Sequence, residues 1–454
     1  MARRLVIIGA DAAGMSAAAQ ARRLAKPEAL EIVAFERGAH TSYAACGLPY
    51  LVGGFVESAQ RLVARSPEEH RARGVDVRTR HEVTAIDAAA STLTVRDLEA
   101  GSERVERWDA LLIATGASGV MPPWPGSDAR GVFQLRTLDD AAAIEAQIAA
   151  GARRAVVVGA GYIGIEVAEG LLARGLSVTV VERLEAPLGA VLDADMTGAV
   201  ADAMRAAGVD LRLGVSVQGF DAEGGQVRAV RTGAGTIAAD LVVVGLGVRA
   251  NAGLARAAGI RIGDAGGIVV DERMRTSLPN VWAAGDCVES RHRLSGASVV
   301  IALGTHANRQ GRVAGTVIAG GEAGFHGVLG TAITRFGELE IARTGLGERE
   351  AAAAGFDAYA TITEASSRAH YFPGAQLMRI KLVAERASGR LLGAQIVGGP
   401  QSGKRIDVFA TALWNRMTVQ DIGEMDLSYA PPFSPVWDPV LLAAGRAAGE
   451  LQRR

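Results

Sequence analysis

The stretch Ala155-Val156-Val157-Val158-Gly159-Ala160-Gly161-Tyr162-Ile163-Gly164 decides the fold. Its apolar start predicts a buried strand, its glycines predict a tight turn, and Ile165 to Arg174 predict a helix. A second strand, Val178 to Val181, ends in Glu182. In such a unit the glycines allow the turn, the close approach of a pyrophosphate and helix–strand packing, and the acid accepts hydrogen bonds from a ribose. The stretch therefore predicts a dinucleotide site.

A second copy of this pattern lies at the start of the chain. Arg4 to Ile8 predict a buried strand, and Gly9-Ala10-Asp11-Ala12-Ala13-Gly14 turns into an Ala-rich helix. Asp11 stands where the middle glycine is usual. The next strand, Glu31 to Phe35, ends in Glu36, which is suited to binding an adenosine ribose. The order of strand, turn, helix, strand and acid predicts a second dinucleotide site.

Two dinucleotide sites in one chain imply two cofactors that face each other. A flavin with a nicotinamide is the natural pair, because hydride passes from one to the other. The strand Leu241 to Gly245 and a turn at Val248 to Asn251 are expected to return the chain to the first domain. The segment Val281 to Gly285 predicts one more strand, and Asp286 after it either binds a sugar-alcohol hydroxyl or caps a helix.

The segment from Thr41 to Tyr50 holds Cys46, one of only two cysteines. Small residues surround Cys46, so a flat ring or a substrate sulfur can approach its thiol. A helix that begins near Cys46 would favour the reactive thiolate. The alternative is a buried structural cysteine. We expect Cys287, by contrast, to be an inert buried thiol.

The fold class predicted from these signals is α/β, with two Rossmann-like domains, for FAD and for NAD(P)H, followed by an α+β C-terminal domain. The glycine turn at Ala114-Thr115-Gly116 and the proline-rich segment that follows place a boundary near residue 117. Short strands and a helix at Arg405 to Trp414 replace the dinucleotide signals near the end. The predicted domains are 1–116 (FAD, first part), 117–244 (NAD(P)H), 245–325 (FAD, second part) and 326–454 (C-terminal).

The segment from Arg61 to Arg80 carries six arginines and His70. It is interpreted either as a solvated basic surface or as a patch for a phosphorylated substrate close to Cys46. The net charge of −1 gives no argument for a nucleic-acid or membrane partner. No apolar run reaches the ~18 residues of a membrane helix. Two cysteines are consistent with a reducing cytoplasm, where we expect the protein to be, and no metal site is predicted.

Together these motifs resemble the flavin-dependent pyridine nucleotide-disulfide oxidoreductases over essentially the whole chain. The segments that carry the resemblance are Gly9–Gly14, Ser42–Tyr50, Ala114–Gly116, Gly159–Gly164, Ala284–Asp286, Leu303–Asn308 and Tyr429–Pro432. Within the family the chain is similar to the single-cysteine branch, which contains coenzyme A-disulfide reductases, NADH oxidases and NADH peroxidases. Ala12, where the oxidases carry a histidine near the sulfur, favours the first of these.

The resemblance implies binding residues for both cofactors and for the substrate. For FAD they are Gly9, Ala12, Ala13, Gly14, Glu36, Arg37, Val83, Thr115, Gly116, Asp286 and Ala307. For NADH or NADPH they are Gly159, Gly161, Tyr162, Ile163, Gly164, Glu182 and Gly247. For a small disulfide they are Ser16, Gln20, Arg23, Ser42, Arg73 and Asn308. Ala45 and Trp437 depart from the family, where an asparagine and a lysine occur.

The resemblance further implies that the C-terminal domain forms a homodimer, in which Tyr371 and Tyr429 reach the partner subunit's cysteine. The function expected is reduction of a low-molecular-weight disulfide, coenzyme A disulfide first of all, by NAD(P)H through Cys46 and a mixed disulfide. Alternatives are an NADH oxidase, a polysulfide or persulfide reductase, and an electron-transfer flavoprotein without turnover. Persulfide reductases of the family often append a rhodanese domain, for which this chain is expected to be too short.

Overall fold

The computed structural model describes residues 2–452. The first part of the chain forms a strand–helix–strand unit, short helices and five further strands. Its elements are β1 (Arg3–Ile8), α1 (Ala12–Leu24), β2 (Leu30–Phe35), α2 (Leu48–Val52), α3 (Ala59–Leu62), α4 (Pro67–Arg71), β3 (Asp76–Arg78), β4 (His81–Asp87), β5 (Thr92–Asp97), β6 (Glu103–Arg107) and β7 (Ala110–Ile113).

The second part repeats the strand–helix–strand unit. Its elements are β8 (Ala117–Gly119), β9 (Val132–Phe133), α5 (Leu138–Ala149), β10 (Arg154–Val158), α6 (Tyr162–Ala173), β11 (Ser177–Val181), α7 (Gly198–Ala206), β12 (Asp210–Arg212), β13 (Val217–Glu223), β14 (Gln226–Thr232), β15 (Gly235–Ala238), β16 (Leu241–Val244) and β17 (Val248–Ala250).

The third and fourth parts complete the chain. The third holds α8 (Gly253–Ala257), β18 (Val281–Ala283), β19 (Ser290–Arg291), β20 (Ser298–Val299) and α9 (Gly304–Ile318). The fourth holds β21 (Ala332–Phe336), β22 (Leu339–Gly345), α10 (Glu348–Ala353), β23 (Ala358–Ser366), β24 (Leu377–Glu385), β25 (Leu391–Gly398), α11 (Ile406–Trp414), α12 (Val419–Gly423) and α13 (Pro439–Gln452).

Two five-stranded sheets, all parallel, confirm the predicted α/β class. The first has the order β18-β7-β1-β2-β3, and the second has the order β12-β11-β10-β16-β9. After their leading arginines, strands β1 and β10 are apolar and buried, as expected for strands covered on both faces. Each glycine turn leaves the carboxyl end of a central strand, where α/β sheets bind ligands.

The chain passes from the first sheet to the second through β8 and returns through β17. These two connecting strands lie side by side, because they pair with each other in antiparallel fashion. The predicted turn at Val248 to Asn251 is therefore wrong, since most of that segment is strand β17. The helix of the second unit begins at Tyr162 rather than Ile165 and ends at Ala173. It begins early because Gly161 is its N-cap and the turn passes directly into the helix.

The C-terminal domain is the predicted α+β unit. Its antiparallel sheet has the order β21-β22-β25-β24-β23, and helices α11 and α13 cover one face through a shared apolar core. Phe336, Ile341 and Val397 belong to the same core as Leu192 and Val200 of the second part. The C-terminal domain thus packs directly on the unit that carries the second glycine turn.

Small residues let two helix pairs approach closely. In α1 and α9, a side-chain carbon at Gly311 would lie 2.2 Å from the carbonyl oxygen of Ala13, and one at Gly315 would lie 2.3 Å from that of Ala17. Between α2 and α6, a side-chain carbon at Gly170 would lie 2.9 Å from the Pro49 carbonyl oxygen. The second contact sets the Cys46 segment against α6.

Candidate active site

The two glycine turns have nearly the same geometry. Gly9 and Gly159 both have φ near +99°, a backbone conformation that disfavours side chains. A side-chain carbon at Gly14 would lie 1.9 Å from the Gly9 carbonyl oxygen, and one at Gly164 would lie 2.0 Å from that of Gly159. At Gly161 it would meet nothing within 4 Å. The first and last glycines are therefore required by the turn, and Gly161 leaves room for a ligand such as a pyrophosphate.

Asp11 occupies the position that corresponds to Gly161 in the first turn, and its side chain has a partner. Its Oδ1 accepts a hydrogen bond from the backbone N–H of Tyr43 at 3.1 Å, and the Ser42 N–H donates to the Ala10 carbonyl. Burial raises the pKa of Asp11 to about 6, and the nearby carboxylate of Glu36 adds to the shift. These contacts fasten the segment before Cys46 to the first glycine turn.

The two strand-terminal acids also match each other. Glu36 accepts hydrogen bonds from the N–H groups of Ala10 at 2.9 Å and Gly38 at 2.8 Å. Glu182 accepts them from Ala160 at 2.7 Å and Leu184 at 2.8 Å. Each carboxylate is thereby fixed beside its glycine turn. Ionised carboxylates have further lone pairs, which ribose hydroxyls can use.

The other predicted FAD residues surround the end of the first sheet. Thr115 Oγ1 donates to the Asn251 carbonyl at 2.7 Å, and Gly116 has φ +64°. Ala307 lies in the first turn of α9. Val83 is partly buried against the core of this domain, and Arg37 is exposed beside Glu36. In the second unit, Gly247 is exposed with φ +86°, and Tyr162 and Ile163 begin α6.

Asp286 follows β18 and faces Arg136 rather than a helix. One of its oxygens lies 3.6 Å from Arg136 Nη2, and burial raises its pKa. The helix-cap alternative for Asp286 is therefore wrong. Arg136 Nε is buried and has no hydrogen-bond partner among residues 2–452. An unsatisfied donor next to a buried carboxylate fits a site that is completed by a polar cofactor.

Cys46 lies in a single 3₁₀ turn, Ala45–Gly47, immediately before α2, and its side chain is exposed. Loss of solvation raises the pKa of its thiol, the charges of Glu166 and Asp286 raise it further, and Arg136 lowers it. These surroundings raise the pKa of the thiol, and the expectation that the helix start favours the thiolate stays a prediction. Cys287 is fully buried, as predicted.

The six predicted substrate residues, which we call the substrate strip, are linked in pairs and through one cavity: Ser16, Gln20, Arg23, Ser42, Arg73 and Asn308. Ser16 Oγ donates to Asn308 Oδ1 at 2.6 Å, and Arg23 Nη1 donates to Gln20 Oε1 at 3.4 Å. Arg23 and Arg73 line a cavity of about 200 Å³ together with His70. Ser42 Oγ lies 2.9 Å from His70 Nε2, which joins the cavity to the Cys46 segment.

Charge in this cavity comes from arginines. Arg22 and Arg65 also line it. Arg22 is committed to the backbone, since its guanidinium donates to three carbonyl oxygens. Burial and the charges of Arg65 and Arg73 lower the pKa of His70 to about 4, so His70 is neutral at pH 7. Arg65 and Arg73 of the basic segment line this cavity, whereas Arg61 and Arg71 are exposed outside it, so both interpretations of the segment stay predictions.

Comparison with known proteins identifies the family. The family model described as pyridine nucleotide-disulphide oxidoreductase matches residues 3–311, and the model of the dimerisation domain of the same family matches residues 331–439. The chain belongs to the pyridine nucleotide-disulphide oxidoreductases. The cofactors of this family are FAD and NAD(P)H, and its dimerisation domain supports a homodimer.

Three relatives of this oxidoreductase illustrate the resemblance. An NAD(P)H coenzyme A polysulfide/persulfide reductase from Pyrococcus horikoshii is 40% identical over 446 residues, which cover 98% of each chain. A coenzyme A disulfide reductase from Staphylococcus aureus is 32% identical over 436 residues, covering 95% of this chain and 96% of the relative. The structure of an NAD-dependent persulfide reductase from A. fulgidus matches with a TM-score of 0.96 and 38% identity, over 99% of this chain and 84% of that one.

Two tyrosines that we predicted to be catalytic lie together on the dimerisation domain of this oxidoreductase. The Ala369 N–H donates to the Pro431 carbonyl, which ties their two loops together. Partial desolvation and a hydrogen bond with Tyr371 raise the pKa of Tyr429. Both rings are exposed, as are Phe433, Val436 and Trp437. No described helix of the oxidoreductase combines the length and apolarity needed to cross a bilayer.

Sequence reasoning missed three residues of this site in the oxidoreductase. Arg136 lies between β9 and α5, and no motif marks it. Glu166 lies on α6, accepts a hydrogen bond from Thr334 Oγ1 at 2.7 Å, and has its pKa raised by burial. It follows the last glycine of the second turn by two residues, which was the available signal. His70 was noted only as part of a basic segment.

Proposed function

We propose that this chain is an FAD-dependent NAD(P)H oxidoreductase that reduces coenzyme A disulfide through Cys46. The observation that carries the proposal is the substrate strip, which connects the Cys46 segment to a cavity lined by arginines. Coenzyme A carries a thiol at one end and phosphates at the other. In the protein, Cys46 would meet the sulfur end of this ligand, and the basic cavity would meet its phosphates. Guanidinium groups bind phosphate strongly because their donors form a planar fork.

Three guanidinium groups of the cavity are available for phosphates. Arg23, Arg65 and Arg73 form no ion pair with any residue in 2–452, whereas most arginines of the surrounding helices and strands do. No carboxylate lines the cavity. An anionic ligand would therefore meet uncompensated positive charge there. This supports a phosphorylated disulfide over a small neutral one.

We further propose where the two cofactors bind. The first turn, with Gly9, Ala12, Ala13 and Gly14, would hold FAD, and its other contacts would be Glu36, Arg37, Val83, Thr115, Gly116, Asp286 and Ala307. The second turn, with Gly159, Gly161, Ile163 and Gly164, would hold NAD(P)H, with Tyr162, Glu182 and Gly247. The matched geometry of the turns and acids supports both assignments. The corresponding domains are 1–116 with 245–325, 117–244 and 326–454.

When bound, the flavin accepts hydride from the nicotinamide and passes two electrons to sulfur. The Cys46 thiolate attacks one sulfur of the disulfide, so that a Cys46–coenzyme A mixed disulfide forms and one coenzyme A thiolate leaves. Two electrons from NAD(P)H then cleave the mixed disulfide, which regenerates the Cys46 thiolate and releases the second thiolate. Tyr371 and Tyr429 of the partner subunit would hydrogen-bond or protonate the departing thiolate.

A second candidate substrate is a coenzyme A persulfide or a polysulfide. The names of the Pyrococcus and A. fulgidus relatives favour it. The same thiolate attack on a sulfur–sulfur bond applies, and the leaving group is then a hydrosulfide or a shorter polysulfide. The substrate strip would bind the coenzyme A part of either substrate, provided that coenzyme A is attached to the sulfur.

A comparison of two disulfides tests the role of the cavity. Pantethine carries the same disulfide as coenzyme A disulfide without the adenosine phosphates. We expect kcat/KM with NADH to be higher for coenzyme A disulfide than for pantethine. Arg73→Ala should reduce that preference roughly tenfold, because one charge-assisted phosphate contact is lost. The rate with pantethine should remain unchanged.

Arg61→Ala is the matched control, since Arg61 belongs to the same basic segment and is exposed outside the cavity. The proposal fails if Arg73→Ala slows both disulfides equally, or if oxygen is consumed faster than every disulfide. Faster turnover of a coenzyme A persulfide than of coenzyme A disulfide would select the second candidate.

A further inference from the structure

The loop between β11 and α7, residues 182–197, contacts the second glycine turn through its first half. We call it the bridging loop. Glu182 Oε2 accepts a hydrogen bond from the Ala160 N–H, and the Leu188 N–H donates to the Ala160 carbonyl at 2.8 Å. Leu188 is 2% exposed and has φ +56°. A buried leucine in the left-handed region keeps that conformation only where its surroundings hold it.

The second half of the bridging loop is bound by a buried lysine of the C-terminal domain. Lys381 on β24 is 1% exposed. Its Nζ lies 3.2 Å from Asp193 Oδ2 and 2.8 Å from both oxygens of Asp195. Glu348, at the start of α10, is its third carboxylate partner. Two of the three carboxylates therefore belong to the bridging loop, and the third belongs to the lysine's own domain.

Further hydrogen bonds join the same two parts. Asp193 and the Gln395 amide exchange two hydrogen bonds of 2.9 and 2.8 Å, and both residues are buried. Arg343 Nη1 donates to the Val191 carbonyl at 2.7 Å. Arg349 Nη2 donates to the Gly189 carbonyl at 2.8 Å. The C-terminal domain thus holds the bridging loop from residue 189 to residue 195.

Lys381 is the cation that makes this arrangement possible. Oxygens of Asp193, Asp195 and Glu348 all lie within 4.8 Å of one another, and the ammonium binds all three groups. Burial alone would lower the pKa of Lys381, but hydrogen bonds to Asp195 and Glu348 raise it above its ordinary value. Without the ammonium, three carboxylates would repel one another at close range. The bridging loop would move away to separate them.

Charges of the same region also act on Tyr162, the first residue of α6. Burial raises the pKa of Tyr162 to about 12, and the charges of Arg343 and Glu350 both act on its phenol. Arg343 Nη2 and Glu350 Oε2 form an ion pair at 2.5 Å. The C-terminal domain therefore contacts the loop beside the second glycine turn, and two of its charged side chains act electrostatically on the tyrosine that begins α6.

We propose that Lys381 is a positioning residue for NAD(P)H binding, because it fastens the bridging loop to the C-terminal domain and thereby holds the second glycine turn in place. The inference rests on the proposed assignment of that turn to NAD(P)H. Lys381 touches neither the turn nor Cys46. Its effect is confined to the half-reaction in which NAD(P)H reduces the flavin.

Anaerobic rapid mixing of the FAD-loaded enzyme with NADH measures this effect. The dependence of the flavin reduction rate on NADH concentration gives the Kd of NADH and the limiting rate. Lys381→Met should raise the Kd roughly five- to tenfold, a usual size for coupling between separate regions. The reoxidation rate of the reduced enzyme by ferricyanide should not change. Lys381→Arg keeps the charge and should restore most of the affinity.

Lys404→Met is the matched control, because Lys404 lies in the same domain and is 81% exposed. If Lys381→Met does not fold, Asp195→Asn provides the test, since Asp195 is 44% exposed and its loss weakens the same contact. It should raise the Kd by a smaller factor, roughly two- to threefold. An unchanged NADH Kd in the folded Lys381 variant, or in Asp195→Asn, overturns the inference.

Gly161→Val separates this inference from the site assignment. If Gly161→Val weakens NADH binding while the Lys381 and Asp195 variants do not, only the positioning role of Lys381 is wrong. If Gly161→Val leaves NADH binding unchanged, the assignment of the second turn fails, and the inference fails with it.

Discussion

At the scale of single residues, the reactivity of Cys46 depends on opposing charges. Loss of solvation is the largest cause that raises the pKa of its thiol, the charges of Glu166 and Asp286 raise it further, and Arg136 lowers it. None of these three residues is near Cys46 in the sequence. The thiol of the protein is thus less acidic than its position before a helix suggests.

Glu166→Gln should lower the pKa of Cys46, because it removes a nearby negative charge that opposes the thiolate. The measurement is the rate of iodoacetamide alkylation against pH, on enzyme first reduced with dithiothreitol and then freed of it. Cys46→Ser is the control, and it should not react, since Cys287 is fully buried. A pKa that stays the same or rises in Glu166→Gln contradicts this account.

The glycines, the strand-terminal acids and Cys46 could be predicted from the sequence because each is marked by its immediate neighbours. Arg136 could not, since its place beside Asp286 depends on how two distant loops pack. Lys381 was hidden for a similar reason. A lysine on a strand is ordinarily assigned to the solvent face, and only the fold brings three carboxylates around it.

At the scale of elements, the chain uses one strand–turn–helix–strand unit twice, and we expect the acid at its end to help select the nucleotide. Both acids accept hydrogen bonds from two backbone N–H groups. They remain fixed carboxylates that favour a free ribose and repel a 2′-phosphate. In the second unit Arg183 follows the acid and is exposed.

We therefore expect kcat/KM to be higher with NADH than with NADPH. Glu182→Ala should reduce this preference roughly tenfold, whereas Arg183→Ala should increase it, because Arg183 is the group that would attract a 2′-phosphate. Glu185→Ala is a suitable control, since Glu185 is exposed on the same loop. A tenfold preference of the unmodified enzyme for NADPH would mean that Arg183 outweighs Glu182.

The strands and helices of the dinucleotide units were predictable to within a few residues, because their apolar runs and their glycines mark the same boundaries. The elements of the C-terminal domain were less predictable from the sequence. In strand β23, threonines and a glutamate interrupt the apolar residues, and helix α13 is rich in alanine. Neither element therefore shows a strong hydrophobic period in the sequence. Their places come from packing on β24 and α12.

At the scale of the whole molecule, the exposed apolar surface of the dimerisation domain is where we expect the two subunits to meet. Tyr371 and Tyr429 belong to this surface, with Phe433, Val436 and Trp437. Large exposed apolar patches mark interaction surfaces. A two-fold axis through this surface would make each site depend on both subunits.

Mixing two inactive variants tests the shared site. Cys46→Ser and the double variant Tyr371→Phe/Tyr429→Phe should each reduce disulfide turnover strongly and leave NADH-to-flavin transfer nearly intact. After subunit exchange, each mixed dimer contains one complete site, so about a quarter of the normal turnover should return if subunits pair at random. Turnover that does not recover in verified mixed dimers, or a fully active monomer in sedimentation, excludes a site shared between subunits.

The pairing of β18 with β7 affects the order in which the sheets can form during synthesis. The second five-stranded sheet draws all its strands from one continuous stretch, whereas the first sheet cannot close until Val281 reaches Leu111. The middle of the chain can therefore finish folding on the ribosome while the earlier part still exposes the edge of β7. Domains that emerge in this order leave the first-made sheet exposed longest to aggregation and to chaperones.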